Sequence, residues 1–484
     1  MKSYLTRDIR NVGIVGHGGT GKTQLVSSLL FTAGMTTRWG KVAEGSTSTD
    51  WDEEEIARKI SIQTGLAHAE WPATPASPSG SSDKVKINFI DLPGYSTFIT
   101  EAKASLIAAD AALITVDAHV GSQVTTEKVW DYCTEYDIPR AFVLTWMDRE
   151  LSSFERSMES LQEVFGRNVV SLQMPIGSEK GFRGVIDLVA MKAHIYKPDG
   201  DGKPSIEEIP AALADEAKEA HEKLVEMIAE GDDEMMEEFF REGTIPIHDL
   251  IPAVRKAIVA EKIFPVLMTS ALHNIGTASL LTFLADAFPH PDEHAQVGFK
   301  EPGGKGDRVE RKYDDSQPLS LFVFKTLSDP FTGRINYFKV KSGVLKNDAT
   351  LTNYNRNLPE RFQHIQAVQG KQFTEVGELH AGDIGAIAKL KETTTGETVG
   401  DKLRPFIIRP RNFPSPPSLS PSSRKPAPTK TRSASPFIKS SRKIPRSVFH
   451  AIRKRRSSCL PVRASSILKS SSPSSTNAIT STSL

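Results

Sequence analysis

Eight consecutive residues, GHGGTGKT at 16–23, have the composition of a loop that grips phosphate. Glycines at Gly16, Gly18, Gly19 and Gly21 leave room for backbone N–H groups to converge on an anion. The helical pattern that follows, TQLVSSLLFTAG, sets a helix N-terminus behind them. Lys22 supplies positive charge to β- and γ-phosphate oxygens, and Thr23 a hydroxyl for magnesium. The binding loop is therefore expected to comprise Gly16, His17, Gly18, Gly19, Thr20, Gly21, Lys22 and Thr23.

Three later pieces could complete such a site. DLPG (91–94) closes an apolar run, so Asp91 can hold magnesium through water and the Gly94 N–H can reach a γ-phosphate, with Leu92, Pro93 and Tyr95 completing the turn. The same residues also suit an ordinary turn in which Asp91 caps its neighbours. TWMD (Thr145, Trp146, Met147, Asp148) ends another run, and a carboxylate at Asp148 accepts both N–H donors of a guanine edge, which adenine lacks. An Asp before a helix is equally an N-cap. TSAL brings Ser270, Ala271 and Leu272, with the Ala271 N–H available to a guanine oxygen. Asp148 argues against the remaining alternative, a phosphate-loop enzyme that uses ATP.

Positioning these residues requires a sheet. NVGIVGH, KINFIDLPG, AALITVDA, AFVLTWMD and FPVLMTSA are β-rich runs ending in or near Gly, Asp or Ser, separated by helical-period stretches up to about Asp292. This pattern predicts a parallel sheet covered by helices, with ligand at the carboxyl ends of the strands. In the helix expected over 126–136, Val129, Cys133 and Tyr136 share one face. The Pro- and Ser-rich stretch at 71–83 reads as a flexible hairpin tip, and 210–260, dense in Glu, Ala and Lys, as helices inserted between the fourth and fifth core strands. From Pro318, LSLFVFKTL and RINYFKVKSGVL alternate as antiparallel strands of a small barrel.

Composition bounds the setting. The 484 residues allow two to four domains, and the two cysteines, Cys133 and Cys459, form neither a disulfide framework nor a zinc motif. The sequence has no membrane-spanning apolar run and no secretory signal, so a cytoplasmic protein is expected. The net charge of +1 conceals two unlike parts: 18 of the 60 Lys and Arg follow Asp401, the last acidic residue, leaving 42 basic against 59 acidic before it, or −17. Beyond Pro405 the chain is Ser, Pro, Lys and Arg without period, a composition expected to be disordered.

Taken in order, GHGGTGKT, RKISI, DLPGYSTF, TWMDRE and TSAL resemble the five guanine-nucleotide elements of translational GTPases. PIGSEKGFRGVIDLVAMKAHIY (175–196), DPFTGRINYFKVKSGVLKND (329–348) and AGDIGAIAKLKETTTGETVGDKL (381–403) narrow the resemblance to elongation factor G, over about residues 5–410. It implies an α/β P-loop GTPase domain over 5–292 with a helical insert at about 165–260 and an all-β barrel domain over 310–403; composition, not the resemblance, gives a disordered basic tail over 404–484. It implies GTP or GDP with Mg²⁺ as cofactors, Thr23, Ser61 and Asp91 around the metal, and hydrolysis supported by Lys22, Ser61, Gly94 and Tyr95. The implied partner is the ribosome, for a monomer with no membrane and no sequence-specific DNA binding.

Ser61, in RKISI, occupies the position of the family's switch threonine and keeps its hydroxyl. The acidic stretch DWDEEE (50–55) falls in the same loop, although a solvated charge run is the commoner reading of such a feature. Four departures stand out. Gly19 replaces an acidic residue, Lys59 a glycine, and Tyr95 the histidine that positions the attacking water, while Thr145 and Trp146 replace Asn and Lys. They fit a divergent paralogue in which binding is a safer expectation than fast hydrolysis. Family members continue with three further domains, whereas here the pattern dissolves after DKLRPF. A frameshift at about 405–415 is expected, the rival being a basic tail, including IRKRRSS at 452–458, that binds RNA without sequence preference.

Overall fold

The computed structural model describes residues 2–408 apart from 75–83, 231–232, 244, 294–295, 302–304 and 330–332. The expectations for the tail beyond 408, and for the tip of the 71–83 stretch, thus lie outside the described residues.

In chain order the first part contains strands β1 (Ile9–Gly16), β2 (Gly65–Pro72), β3 (Lys84–Asp91), β4 (Ala111–Asp117), β5 (Arg140–Thr145) and β6 (Val169–Ser171). An insert carries β7 (Gln173–Ile176), β8 (Gly184–Asp187), β9 (Lys192–Ile195) and β10 (Ser205–Glu207), after which β11 (Phe264–Met268) returns to the main sheet. The helices are α1 (Lys22–Thr32), α2 (Glu53–Arg58), α3 (Ile99–Leu106), α4 (Val124–Tyr136), α5 (Phe154–Phe165), α6 (Ala214–Ala229), α7 (Asp233–Glu242), α8 (Ile247–Val259) and α9 (Thr277–Asp286).

The main sheet runs β2-β3-β1-β4-β5-β11-β6. All neighbours are parallel except β2, which pairs antiparallel with β3 from Gly65 opposite Asp91 to Pro72 opposite Lys84. The sheet is therefore mixed rather than wholly parallel as the strand pattern predicts: a hairpin adds β2 to an edge, where no crossover helix is needed. Both faces of β1 are buried because its residues alternate between two helix layers. Val12 and Ile14 pack with Leu25 and Leu29 of α1 and Leu281 of α9, while Val15 faces Leu106 of α3, Val129 of α4 and Leu161 of α5.

The insert holds more than the expected helices. Strands β7 to β10 form an antiparallel sheet in the order β10-β9-β8-β7. Met174, Ile176 and Ile186 on that sheet share a core with Leu224, Val225 and Ile228 of α6 and Leu250, Val254 and Ile258 of α8.

The second part is an antiparallel half-barrel. Its strands run Leu358–Phe362, Ala349–Asn353, Thr398–Gly400, Ser320–Asp329, Gly333–Ser342, Ile384–Ala388, Gln366–Gln369 and Gln372–Glu375, around a core that includes Leu321, Val323, Phe338 and Ile387. Residues Ile407–Ile408 pair with Gln296–Glu301, so strand structure extends past Pro405, beyond which composition predicts disorder. Phe406, buried against Gly298, explains the extension.

The two parts meet through charges taken out of water. Lys86 lies 2.8 Å from Asp383, both nearly inaccessible, and Lys339 pairs with Asp110. Lys325 of the half-barrel pairs with Glu101 of α3 at 2.7 Å, and the Glu101 carboxylate also accepts from the Thr64 hydroxyl at 2.9 Å. At the free edge of β2, the Gly370 N–H donates to Leu66 O and the His68 N–H to Gln369 Oε1.

Candidate functional site

The phosphate loop is a turn between β1 and α1 fastened from the neighbouring strands. Thr20 Oγ1 meets Thr115 Oγ1 of β4 at 2.6 Å. Thr145 Oγ1, at the end of β5, donates to Thr20 O at 2.7 Å, and Trp146 Nε1 donates to Gly19 O at 3.2 Å. Inside the turn, Lys22 Nζ donates to Gly16 O at 3.2 Å and to His17 O at 2.8 Å. Burial lowers the Lys22 ammonium to about 8, against the opposing pull of Asp91 and Asp50. His17 is also lowered, by burial and then by Lys22.

DLPG closes over this ammonium. A Cβ at Gly94 would sit 2.2 Å from Lys22 Nζ and 2.6 Å from Gly16 O, so no side chain larger than hydrogen is compatible with the approach. The Tyr95 ring lies against the loop, within 2.8 Å of where a Cβ on Gly18 would stand, yet remains 41% exposed.

Beside Lys22 a shell of oxygen atoms forms. Thr23 Oγ1 lies 2.9 Å from Ser61 Oγ, Ser61 Oγ donates to Asp50 Oδ2 at 3.1 Å, and Thr49 Oγ1 donates to Asp91 Oδ2 at 2.7 Å. The structure thus brings together Thr23, Ser61 and Asp91, three residues far apart in sequence. Asp50 is only 6% exposed; burial, then Asp91 and Glu55, raise its carboxyl to about 8. Burial raises Asp91 to about 6 in spite of the Thr49 hydrogen bond. Such carboxyls are short of positive charge, and Asp91 Oδ1 is buried without a hydrogen-bond partner. Two hydroxyls and two carboxylates are hard oxygen donors of the kind Mg²⁺ takes, so the residues present fit that ion.

The solvated reading of 50–55 is therefore corrected for two of its members. Asp50 faces Ser61, and Glu55 is buried, its Oε1 accepting from the Ile62 and Gln63 N–H groups at 2.9 Å each. Glu53 and Glu54 stay exposed, and half-buried Asp52 caps α2 by accepting from Glu54 N. The helix ends at Lys59 with φ +55°, a left-handed conformation that glycine adopts without cost. Gly19, with φ +88° and nothing near its Cβ position, has room for a side chain but a backbone that disfavours one.

On the base side, Asp148 keeps Oδ1 buried and unpartnered, with its side chain 13% exposed. Leu272 and Trp146 bound a cavity of about 490 Å³ that runs past Tyr95 to Lys22 and Ser61; Asp148 lies outside its lining. Trp146 is backed by the Arg149 guanidinium at 4.5 Å, itself paired with Asp117 at 2.7 Å. Met147 and Leu92 do not reach the cavity, since both side chains belong to the sheet's core. Ser270 is buried at the foot of the loop, where its Oγ accepts from His273 N. Sequence reasoning read Asp50 only as part of an acidic run and missed Thr49 and also Lys41, which stacks on Trp39 and donates to Leu272 O at 2.9 Å from the mouth of the cavity. No period or motif marks them. A second cavity of similar volume, between the insert and α9, is largely apolar and shares no lining residue with this one.

A phosphate loop, a shell of oxygen donors and a lone carboxylate at the carboxyl edge of one sheet define a P-loop nucleotide-binding domain of the switch type, here followed by a β half-barrel. Comparison with known proteins gives the family. Residues 7–290 match the elongation factor Tu GTP binding domain and 318–402 match elongation factor G domain 2, so the chain belongs to the translational GTPases of the elongation factor G kind. It is similar to a protein of Thermus thermophilus known from a crystal structure, at 28% identity and a TM-score of 0.69. That match takes in 82% of this chain and 55% of the other, so the chain spans about half the length of the protein it resembles. Among the described residues no helix is long and apolar enough to cross a membrane.

Proposed function

We propose that this chain binds GTP with Mg²⁺ and hydrolyses it in connection with ribosomal elongation. The observation that carries the reading is the convergence of Lys22, Thr23, Ser61 and Asp91 in one buried shell beneath Gly94, with the free Asp148 oxygen on the same edge of the sheet. Lys22, held by the loop's own carbonyls, exchanges them for β- and γ-phosphate oxygens. Thr23, Ser61, Asp91 and Asp50 would hold the magnesium ion, which when bound neutralises phosphate charge. The Gly94 N–H donates to the γ-phosphate, and Asp148 accepts from the guanine edge. Once the γ-phosphate leaves, Ser61 and Gly94 lose their shared anchor, and the loops that carry them are released.

A second reading, a GTP-binding module without effective turnover, is favoured by one observation. Tyr95 packs on the phosphate loop where the family places a histidine, and a phenol is a poor positioned proton partner at neutral pH. Single-turnover GTP hydrolysis with and without ribosomes separates the two: stimulation above about tenfold supports the GTPase, and less supports the module. Both readings fail together if the protein binds neither GTP nor GDP with Mg²⁺, or if Lys22→Ala binds them as well as the unmodified chain.

A further inference from the structure

His273, one residue beyond TSAL, stands between two carboxylates. Its Nδ1 lies 3.1 Å from Asp199 Oδ1, and its Nε2 lies 3.7 Å from Asp148 Oδ2. The Asp199 contact is a hydrogen bond, and the Asp148 contact is a longer, ion-pair-range approach, so the ring bridges the two side chains. The other oxygen, Asp148 Oδ1, is buried and has no hydrogen-bond partner.

Asp199 is itself held in place. It belongs to the 197–202 loop between β9 and β10 of the insert, and that loop is fastened to the base-side loop at several points. Asp199 N donates to His273 O at 2.9 Å, Asn274 Nδ2 donates to Gly200 O at 3.2 Å, and Thr277 Oγ1 reaches Gly202 O at 3.5 Å. A Cβ on Gly202 would lie 2.1 Å from Thr32 Oγ1 of α1, so the loop fits closely against the nucleotide domain.

Resting on the guanine-nucleotide reading above, we propose that His273 and Asp199 are positioning residues that fix the plane of the Asp148 carboxylate, so that the insert sets how sharply the site distinguishes guanine. A two-pronged contact to a base edge needs both oxygens in the plane of the base, and a carboxylate free to turn about its last bond must be ordered at each binding event. A carboxylate has about four lone-pair sites, so Oδ2 can hold His273 and still accept from the base.

The test compares GDP with IDP, which lacks the exocyclic amino group and so gives up one of the two hydrogen bonds to Asp148. Affinities are measured by titration calorimetry with Mg²⁺ on the full chain, on His273→Ala and on Asp199→Asn. The unmodified chain is expected to prefer GDP by about tenfold or more, since the lost bond is to a charged group. Both variants are expected to bring that ratio below about threefold, mainly by weakening GDP, while IDP affinity stays within about twofold. IDP binding reports the phosphate grip, so it reveals any variant that fails to fold. The Asp199 side chain is 65% exposed, which keeps that variant informative if His273→Ala is lost. The proposal is overturned if the variants keep the original ratio, if GDP and IDP weaken equally, or if the unmodified chain does not distinguish the two. Failure of that chain to bind either nucleotide would instead remove the functional reading on which the proposal rests.

Discussion

Lowering the pH should loosen the half-barrel from the nucleotide domain through one side chain, His68. It lies on the free edge of β2, buried against the half-barrel, where its Nδ1 donates to Val368 O at 3.0 Å. Burial, then the neighbouring Lys86, depresses the imidazole to about 4 from an ordinary 6.5. The folded interface therefore holds the neutral form, and a group with a depressed folded value contributes stability above its unfolded value that is lost as pH falls through the folded one. The window runs from 6.5 down to 4. Two and a half pH units correspond to about 3 kcal/mol in full and about 2 kcal/mol by pH 5. Global unfolding of a chain with several domains is a poor readout, so the assay is native-state hydrogen exchange at two amides that cross the junction, His68 N and Gly370 N. After correction for intrinsic exchange, protection in the unmodified chain should fall by this amount between pH 6.5 and 5. In His68→Gln, whose amide can still donate to Val368 O, it should fall much less. Neighbouring carboxylates affect both proteins alike, so the difference isolates His68. If the two profiles run parallel within about 0.5 kcal/mol, the assignment of a buried neutral histidine is wrong.

Three further outcomes follow from the geometry. Tyr95→His should raise single-turnover GTP hydrolysis by about tenfold or more with little change in GTP affinity, because the ring sits beside the phosphate loop without a hydrogen bond to it that the structure records; an unchanged rate would show that Tyr95 does not limit turnover. Lys59→Gly should relieve left-handed strain at the end of α2 and stabilise the segment carrying Ser61 by up to about 1 kcal/mol, visible as slower exchange of the Ile62 and Gln63 amides, whereas faster exchange would mean that backbone entropy wins. Lys86→Met should leave the Asp383 carboxylate buried without its cation and cost about 3–5 kcal/mol, most of it recovered in a Lys86→Met, Asp383→Leu double variant; a melting temperature unchanged in the single variant would refute the burial of that pair.

What the sequence makes legible here is local chemistry, and what it hides is which side of an element faces inward. GHGGTGKT can be read because a phosphate loop needs its glycines and lysine at fixed spacing within eight residues, and DLPG because it ends an apolar run. The alternation of strands and helices also survives translation into structure, since a buried parallel strand must be apolar on both faces. DWDEEE offers no such signal. Five of its six residues are acidic, and only the folded placement of Thr23 and Ile62 turns Asp50 and Glu55 inward while Glu53 and Glu54 face water. The sheet in the insert is obscured for a related reason: strands such as Lys192–Ile195 are short and only half-buried, so neither period nor β-propensity accumulates over enough residues. Lys86 and Lys339 are wholly buried, yet their type argues for the surface, and only Asp383 and Asp110 from distant segments reverse it.

The departures at Thr145 and Trp146 acquire a physical meaning from the same geometry. Each supplies one donor to a carbonyl of the phosphate loop, the Thr145 hydroxyl to Thr20 O and the Trp146 indole N–H to Gly19 O. A turn whose N–H groups all point inward toward phosphate leaves its carbonyls pointing outward, and buried or half-buried carbonyls need donors from whatever packs behind them. A hydroxyl and an indole meet that need as well as an amide and an ammonium do, so the loop keeps its shape through both replacements. They differ in what remains for the base. Thr145 spends its one hydroxyl proton on the loop and has no second donor to offer, while Trp146 presents an apolar ring backed by Arg149. On the proposed function, phosphate binding is thereby insulated from the changes, and recognition of guanine falls to Asp148 and to whatever holds it still.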